Sequence, residues 1–392
     1  MALVGHLATR LGRFGRALFP VVMLALTMQS AEAAEFCVES STELQAALDA
    51  AASNNQSDVI RISVGDYPSP PGGFSYSPVG SANLDDDLQM SGGWSPLFVL
   101  PCMVNTPDPA LTTLDGGGLE PVMQISVPSL GDVDIRFLTF ANGSADLKGA
   151  GAGLRLFNPA VYAGRLTVAQ NVFFNNSAGI GSGLFMVVFG SAGIELRVLN
   201  NLFLDNSAVL GDAAAGFIEQ IALPKRSEDL SGNDPGILSF AHNTVVENQS
   251  VGSSGGVQLR ADSIDLNVAS NNLWGNSGDD LVLTAEASNQ NLRVLNNNIQ
   301  TLLLVGTTMP TLNENNISVQ PVYVDCGPGC VERIPVVESP LVNAGFDPAS
   351  MGLSWVLPLT DASGGLRRDG PQIDIGAYEA RETIFSDRFQ SL

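Results

Sequence analysis

Hydrophobic and polar positions recur along this chain in a fixed order. Around an anchor residue, apolar side chains stand five and three places before it, an aromatic or aliphatic one two places after it, and Asn five places after it. The anchors Asn171, Asn201, Asn243 and Asn271 satisfy every position. Before them stand Leu166 and Val168, Leu196 and Val198, Leu238 and Phe240, Leu266 and Val268. After them come Phe173, Phe203, Val245 and Leu273, then Asn176, Asn206, Asn248 and Asn276. A further copy anchors on Asn297 with Leu292, Val294 and Ile299, but Leu302 replaces its last Asn. A degenerate copy precedes them on Leu138 with Val133, Ile135, Phe140 and Gly143. Successive anchors lie 33, 30, 42, 28 and 26 residues apart.

Alternation before each anchor marks a strand with one face inward, and the Asn marks a bend. A Gly-containing or acidic loop then leads to another apolar run, as in Gly153 to Leu156, Gly183 to Val188, Gly256 to Leu259 and Asp280 to Leu283. Two or three short strands per repeat form one coil, and recurrence stacks each strand in parallel register on its copy, roughly 4.8 Å away. The expected fold is all-β, a right-handed parallel β-helix. Stacked Asn amides then donate to and accept from one another along the axis, so Asn171, Asn201, Asn243, Asn271 and Asn297 form one ladder. Asn176, Asn206, Asn248 and Asn276 form a second.

A solenoid exposes its end rungs and needs covers against edge pairing. Ser40 and Glu43 make a capping box ahead of Leu44, Ala47, Leu48 and Ala51 at helical spacing, which predicts a short amphipathic helix over the first coil. The opening strand follows at Ile60, Ile62 and Val64. Residues 66–112, rich in Pro, Gly and Ser, predict irregular early coils. The 42-residue interval predicts a protruding loop from Lys225 to Gly236.

Residues 1–33 read as a signal peptide: Arg10, Arg13 and Arg16, an apolar run from Ala17 to Met28, then Ala31 and Ala33. That run is too short to span a bilayer, and no other long apolar segment exists, so no transmembrane segment is expected in the mature chain. Removing three Arg and one Glu leaves 15 basic and 39 acidic residues, a net charge of −24. Such a surface repels phosphate backbones and anionic lipid, which excludes nucleic acid as a partner. Of the general bases, only Lys148, Lys225 and His242 remain beside the arginines. Export delivers Cys37, Cys102, Cys326 and Cys330 to an oxidising compartment. The short Gly327-Pro328-Gly329 turn favours Cys326–Cys330, leaving Cys37 for Cys102; a thiolate metal site is the rival reading.

The helix, the Gly65 and Tyr67 strand, the Leu114-Asp115-Gly116 step and the Asn coils resemble pectin-lyase-like right-handed β-helix proteins. The closing stretch is similar to the choice-of-anchor Q domain of bacterial surface and secreted proteins. It carries Ser339-Pro340-Leu341-Val342-Asn343-Ala344-Gly345, then Arg367, Asp369 and Gly370, then Asp374-Ile375-Gly376-Ala377-Tyr378-Glu379. The expected organisation is a signal peptide (1–33), a capped β-helix (34–335), a choice-of-anchor Q-like segment (336–380) and a tail (381–392). Polymorphic outer-membrane proteins share the Phe173-to-Asn176 spacing, but the 13 residues after Glu379 are too few for their barrel.

Polygalacturonases of this superfamily carry a Gly-His-Gly step and a late Arg-x-Lys, and this chain has neither. His242 occupies the place before its anchor, where the other copies carry Gln170, Asn200 and Ser270, so it reads as a stacked polar side chain. The lyases use calcium to neutralise a uronate, and here Asn175, Asp205 and Glu247, four places after consecutive anchors, are the candidate calcium ligands. Asp85, Asp86 and Asp87, and Asp279 with Asp280, are further acidic groups without a calcium-loop motif. Arg197 and Arg293 read as exposed strand charges. Ala169, Leu199, Ala241, Ala269 and Leu295 form a small apolar outward column. Two functions follow as expectations. The first is an exported or cell-surface protein, non-catalytic and without a cofactor, that binds glycan or another surface component along its flank. The alternative is a calcium-dependent polysaccharide lyase or hydrolase.

Overall fold

The structure is a computed structural model that describes residues 33–78, 86–146, 149–190, 193–222, 236–285, 290–306, 309–327, 331–348 and 357–381. The signal-peptide residues up to Glu32, Asp85, Lys148, the loop expected at Lys225, Cys330 and the tail beyond Arg381 lie outside the described residues.

Alternating apolar residues drive three long sheets. Sheet A stacks ten parallel strands, from Ala34–Val38 to Leu312–Glu314. Sheet B stacks eight, from Gly65–Pro68 to Asn298–Ile299, and sheet C eight, from Phe74–Tyr76 to Leu302–Leu304. Each coil visits A, B and C in turn, which makes the chain a right-handed parallel β-helix. Register follows the sequence repeat: Leu166, Leu196, Leu238, Leu266 and Leu292 pair rung on rung, as do Val168, Val198, Phe240, Val268 and Val294. Inside sheet B, Phe140, Phe173 and Phe203 stack with ring centroids 5.2 and 4.7 Å apart. Phe at this position fills the core on three successive rungs, and Val245, Leu273 and Ile299 continue the same apolar column.

Both bends flanking sheet B use left-handed backbone. Before each anchor, Phe137, Gln170, Asn200, His242, Ser270 and Asn296 have φ between 51° and 59°. Four places after the anchors, Asn142, Asn175, Asp205 and Glu247 have φ between 52° and 61°, and Gly275 takes that place one coil on with φ 74°. Short polar residues and Gly tolerate this conformation best and fill most of both columns, while Phe137, Gln170, His242 and Glu247 adopt it with longer side chains.

The bends interrupt the backbone ladders, and the asparagines supply the missing partners. Asn171 N and Nδ2 both donate to Asn201 Oδ1 (3.0 and 3.3 Å), and Asn201 donates likewise to Asn243 (2.9 and 3.0 Å). Asn243 donates to Asn271 and Asn271 to Asn297. Each Nδ2 also reaches a strand carbonyl one coil earlier, as Asn243 Nδ2 does to Val198 O at 2.9 Å. The second ladder runs through Asn176, Asn206, Asn248 and Asn276 in the same manner. Two members lie beyond the asparagines picked out by the repeat. Asn316 terminates the first ladder by accepting from Asn297, and Asp280 terminates the second by accepting from Asn276 N and Nδ2.

The helix Ser41–Ala51 buries Leu44, Ala47, Leu48 and Ala51 against the first coil. Ser40 Oγ accepts from Glu43 N, and Glu43 Oε2 accepts from Glu39 N. Cys37 and Cys102 form a disulfide; Cys326 is also disulfide-bonded. The described residues of the 66–112 stretch, 66–78 and 86–112, are more regular than their composition predicts. They add strands to all three sheets and one antiparallel hairpin, Leu88–Leu97 with Leu100–Asn105.

Residues 331–348 and 357–381 lie against the outside of the solenoid. Phe346 packs on Ala169, Leu199, Ala241, Ala269 and Leu295, while Ala362, Ala377 and Tyr378 cover Val172, Leu202, Leu204 and Val246 on sheet B. The small apolar column is therefore the seat of the closing segment and not an open binding flank. Three of the five column residues are Ala, and the closing segment packs directly on them and on Leu199 and Leu295.

Candidate functional site

The closing segment accounts for most of the conspicuous polar residues. Gln170 Nε2 and Asn200 Nδ2 donate to Thr360 O at 3.1 and 3.2 Å, Ser270 Oγ accepts from Phe346 N, and Asn296 Nδ2 donates to Ala344 O. His242 is fully buried and its Nδ1 accepts from Arg367 at 2.8 Å. That bond places the ring proton on Nε2. Burial, and then the Arg367 charge, hold the His242 pKa well below its ordinary value. A closed, neutral imidazole of this kind is a docking residue. Arg367 also donates to Asp374 O and Gly376 O and lies 3.3 Å from Glu379. Burial pushes the Glu379 carboxyl up to about 8, against the pull of Arg367. Asp374 accepts from Asn343 N and Ala380 N, and Asp361 accepts from Ser363, Gly365 and Glu379 N. Asp361, Asp374 and Glu379 are thus held by partners within the closing segment itself.

Asn175, Asp205 and Glu247 stand on consecutive rungs at the corner after sheet B, where left-handed backbone turns their side chains out of the core. Asn175 Nδ2 donates to Asn142 Oδ1 at 2.8 Å and Asn142 Nδ2 to Asp115 Oδ1 at 3.0 Å, so this corner has an outer amide ladder of its own. Below it, burial and then the neighbouring Glu247 raise the Asp205 pKa. Arg333, from the segment after the last coil, donates to Glu247 Oε2 at 2.8 Å. A guanidinium therefore occupies the place beside Glu247 that the calcium reading gave to a metal. Among the described residues no three His, Cys, Asp or Glu side chains gather as a metal cluster. Of the other acidic candidates, Asp280 spends its oxygens on Asn276 and Thr301, and Asp87 Oδ1 accepts from Asp132 N. Arg197 pairs with Glu195, and Arg293 with Asp265 and Asn267; both are partly buried.

At the head of the same corner lies an open groove of about 590 Å³. Asn142, Ser144, Asn175 and Ser177 line it, with Gly117, Gly118 and Gly143 backbone as its floor. Its walls offer amides, hydroxyls and peptide groups and no formal charge. Sequence reading singled out Asn175 here and missed Asn142, Ser144 and Ser177. The signal lay in Asn142, four places after the degenerate anchor Leu138, at the position equivalent to Asn175. Comparison with family models, with curated proteins and with solved structures finds no match to this chain.

Proposed function

We propose that this chain is an exported, non-catalytic β-helix protein that binds a polysaccharide along the corner groove at Asn142 and Asn175. One observation carries the reading: uncharged donors and acceptors line two successive rungs there, Asn142 and Ser144 on one and Asn175 and Ser177 on the next, in an open groove. Sugar hydroxyls pair with amides, serines and peptide groups of this kind, and a polymer can follow a groove parallel to the solenoid axis. The Cys37–Cys102 disulfide suits an oxidising compartment, and no helix among the described residues is long and apolar enough to cross a membrane. The likeness of residues 339–379 to the choice-of-anchor Q domain supports an address at or beyond the cell surface.

The test incubates residues 34–392, a compact unit distinct from the leader, with neutral and acidic polysaccharides, with and without calcium. Retention of a polysaccharide without new chain ends is expected. Asn142→Gly with Asn175→Gly keeps the left-handed bends while removing both amides, and should weaken retention about tenfold. Undiminished retention by that variant would remove the groove from the account.

A second reading, a calcium-dependent lyase or hydrolase, draws on Asp205 and Glu247 meeting on adjacent rungs beside Arg333. Calcium-dependent release of unsaturated sugars in the same assay would favour it over binding alone.

A further inference from the structure

The antiparallel hairpin of Leu88–Leu97 and Leu100–Asn105 extends from the third rung of sheet A, whose residues 88–91 pair with the rungs on either side. Its base is held firmly. Cys102 is bonded to Cys37 on the first strand, Arg61 lies over the Trp94 ring at 4.7 Å, and Thr106 N donates to Gly93 O at 2.8 Å. Its tip is bare: Phe98 is 95% and Val99 91% exposed, and Leu97, Leu100, Met103 and Val104 are each about half exposed. Phe98 takes this position with φ 56°, a left-handed conformation unfavourable for a bulky side chain. A folded chain ordinarily turns such residues inward, so this tip answers to something outside the described fold.

Three features identify what covers it. The twenty residues from Leu88 to Pro107 contain no Asp, Glu, Lys or Arg, in a chain that is 15% charged. Pro96 and Pro101 flank the turn and lack N–H groups, and pairing of Leu97 with Leu100 joins the two arms between them, which lowers the number of donors exposed at the tip. The tip is also convex, so both turn side chains and their flanks are covered at once only by a medium that flows around them. We infer that the 94–104 hairpin inserts its tip into the surface of a lipid bilayer. The net charge of −24 without residues 1–33 opposes approach to anionic headgroups, so the membrane is a zwitterionic one.

The experiment floats residues 34–392 with phosphatidylcholine vesicles, phosphatidylglycerol vesicles, or none, in 0.15 M salt. Co-flotation with phosphatidylcholine, weaker with phosphatidylglycerol, is expected. Phe98→Asp with Val99→Asp should lower the bound fraction at least about tenfold with an unchanged unfolding midpoint. A Phe98→Trp variant should show blue-shifted emission, quenched by lipids labelled in the acyl chain. Absence of flotation, flotation unaffected by the double Asp variant, or a vesicle-independent dimer that this variant dissolves would each overturn the inference. The glycan groove lies at another corner, so its variants leave flotation unchanged and the two proposals fail separately.

Discussion

Replacing Asn243 by Leu, a side chain of similar shape, isolates the contribution of the asparagine ladder. In the native rung, Asn243 Oδ1 accepts from Asn201 N and Nδ2, and Asn243 Nδ2 donates to Asn271 Oδ1 and Val198 O. The substitution leaves Asn201 N without an acceptor and takes one of two acceptors from Asn201 Nδ2, both fully buried. Each stranded donor costs roughly 1–3 kcal/mol, so the loss is about 2–6 kcal/mol before the small gain from burying the Leu methyls. Against a typical domain stability of roughly 5–15 kcal/mol, that is a large fraction. Equilibrium urea unfolding followed by far-ultraviolet circular dichroism reads it as a lower midpoint at constant slope. The same change at Asn316, which is only half-buried at the ladder's end, lets water replace the lost partner and should cost under about 1.5 kcal/mol. Equal shifts for the two variants, or less than about 1 kcal/mol at Asn243, would refute the reasoning.

Two further outcomes test the closing segment and the first coil. His242 faces Arg367 in the neutral state with a lowered pKa, so the unfolded chain binds its proton first; the stability it supports is present above pH 6.5 and falls below it by up to about 1.4 kcal/mol per pH unit. A His242→Gln variant should lose that acid-side slope in unfolding titrations, and an unchanged slope would count against the buried contact. Cutting the Cys37–Cys102 disulfide, which spans 65 residues, should lower stability by about 4 kcal/mol on the chain-entropy model, read from urea midpoints of a Cys37→Ser, Cys102→Ser variant.

The architecture was legible because a solenoid writes one structural position many times. Leu196 alone says little, but Leu166, Leu196, Leu238, Leu266 and Leu292 at one offset specify a strand column and its register. The anchor asparagines were legible for the same reason. The turn chemistry was less so, because Gln, His, Ser, Asp and Glu in the bend columns share a backbone requirement and not a side-chain type. The seat of the closing segment was hidden for another reason. Ala169 and Leu199 look alike on an open flank or beneath Phe346, and contacts between residues so distant along the chain leave no local period. Asn142 escaped notice because its coil has Leu138 where the others have Asn, so the groove it lines lacked a marked rung. The hairpin tip was obscured by Pro and Gly on either side, whose usual meaning is irregular loop.

The central claim is that equivalent residues of successive repeats are vertical neighbours in parallel sheets. Gln124, Arg155, Phe185, Phe217 and Gln258 pair in succession on sheet C, placing Gln124 and Gln258 four rungs apart, about 19 Å at ~4.8 Å per rung. Spin labels on cysteines introduced at these two positions, measured by double electron–electron resonance, test it directly. A single distribution near 2 nm, broadened only by the label tethers, is predicted; a broad distribution, or a maximum beyond about 3.5 nm, would contradict the stacked coil.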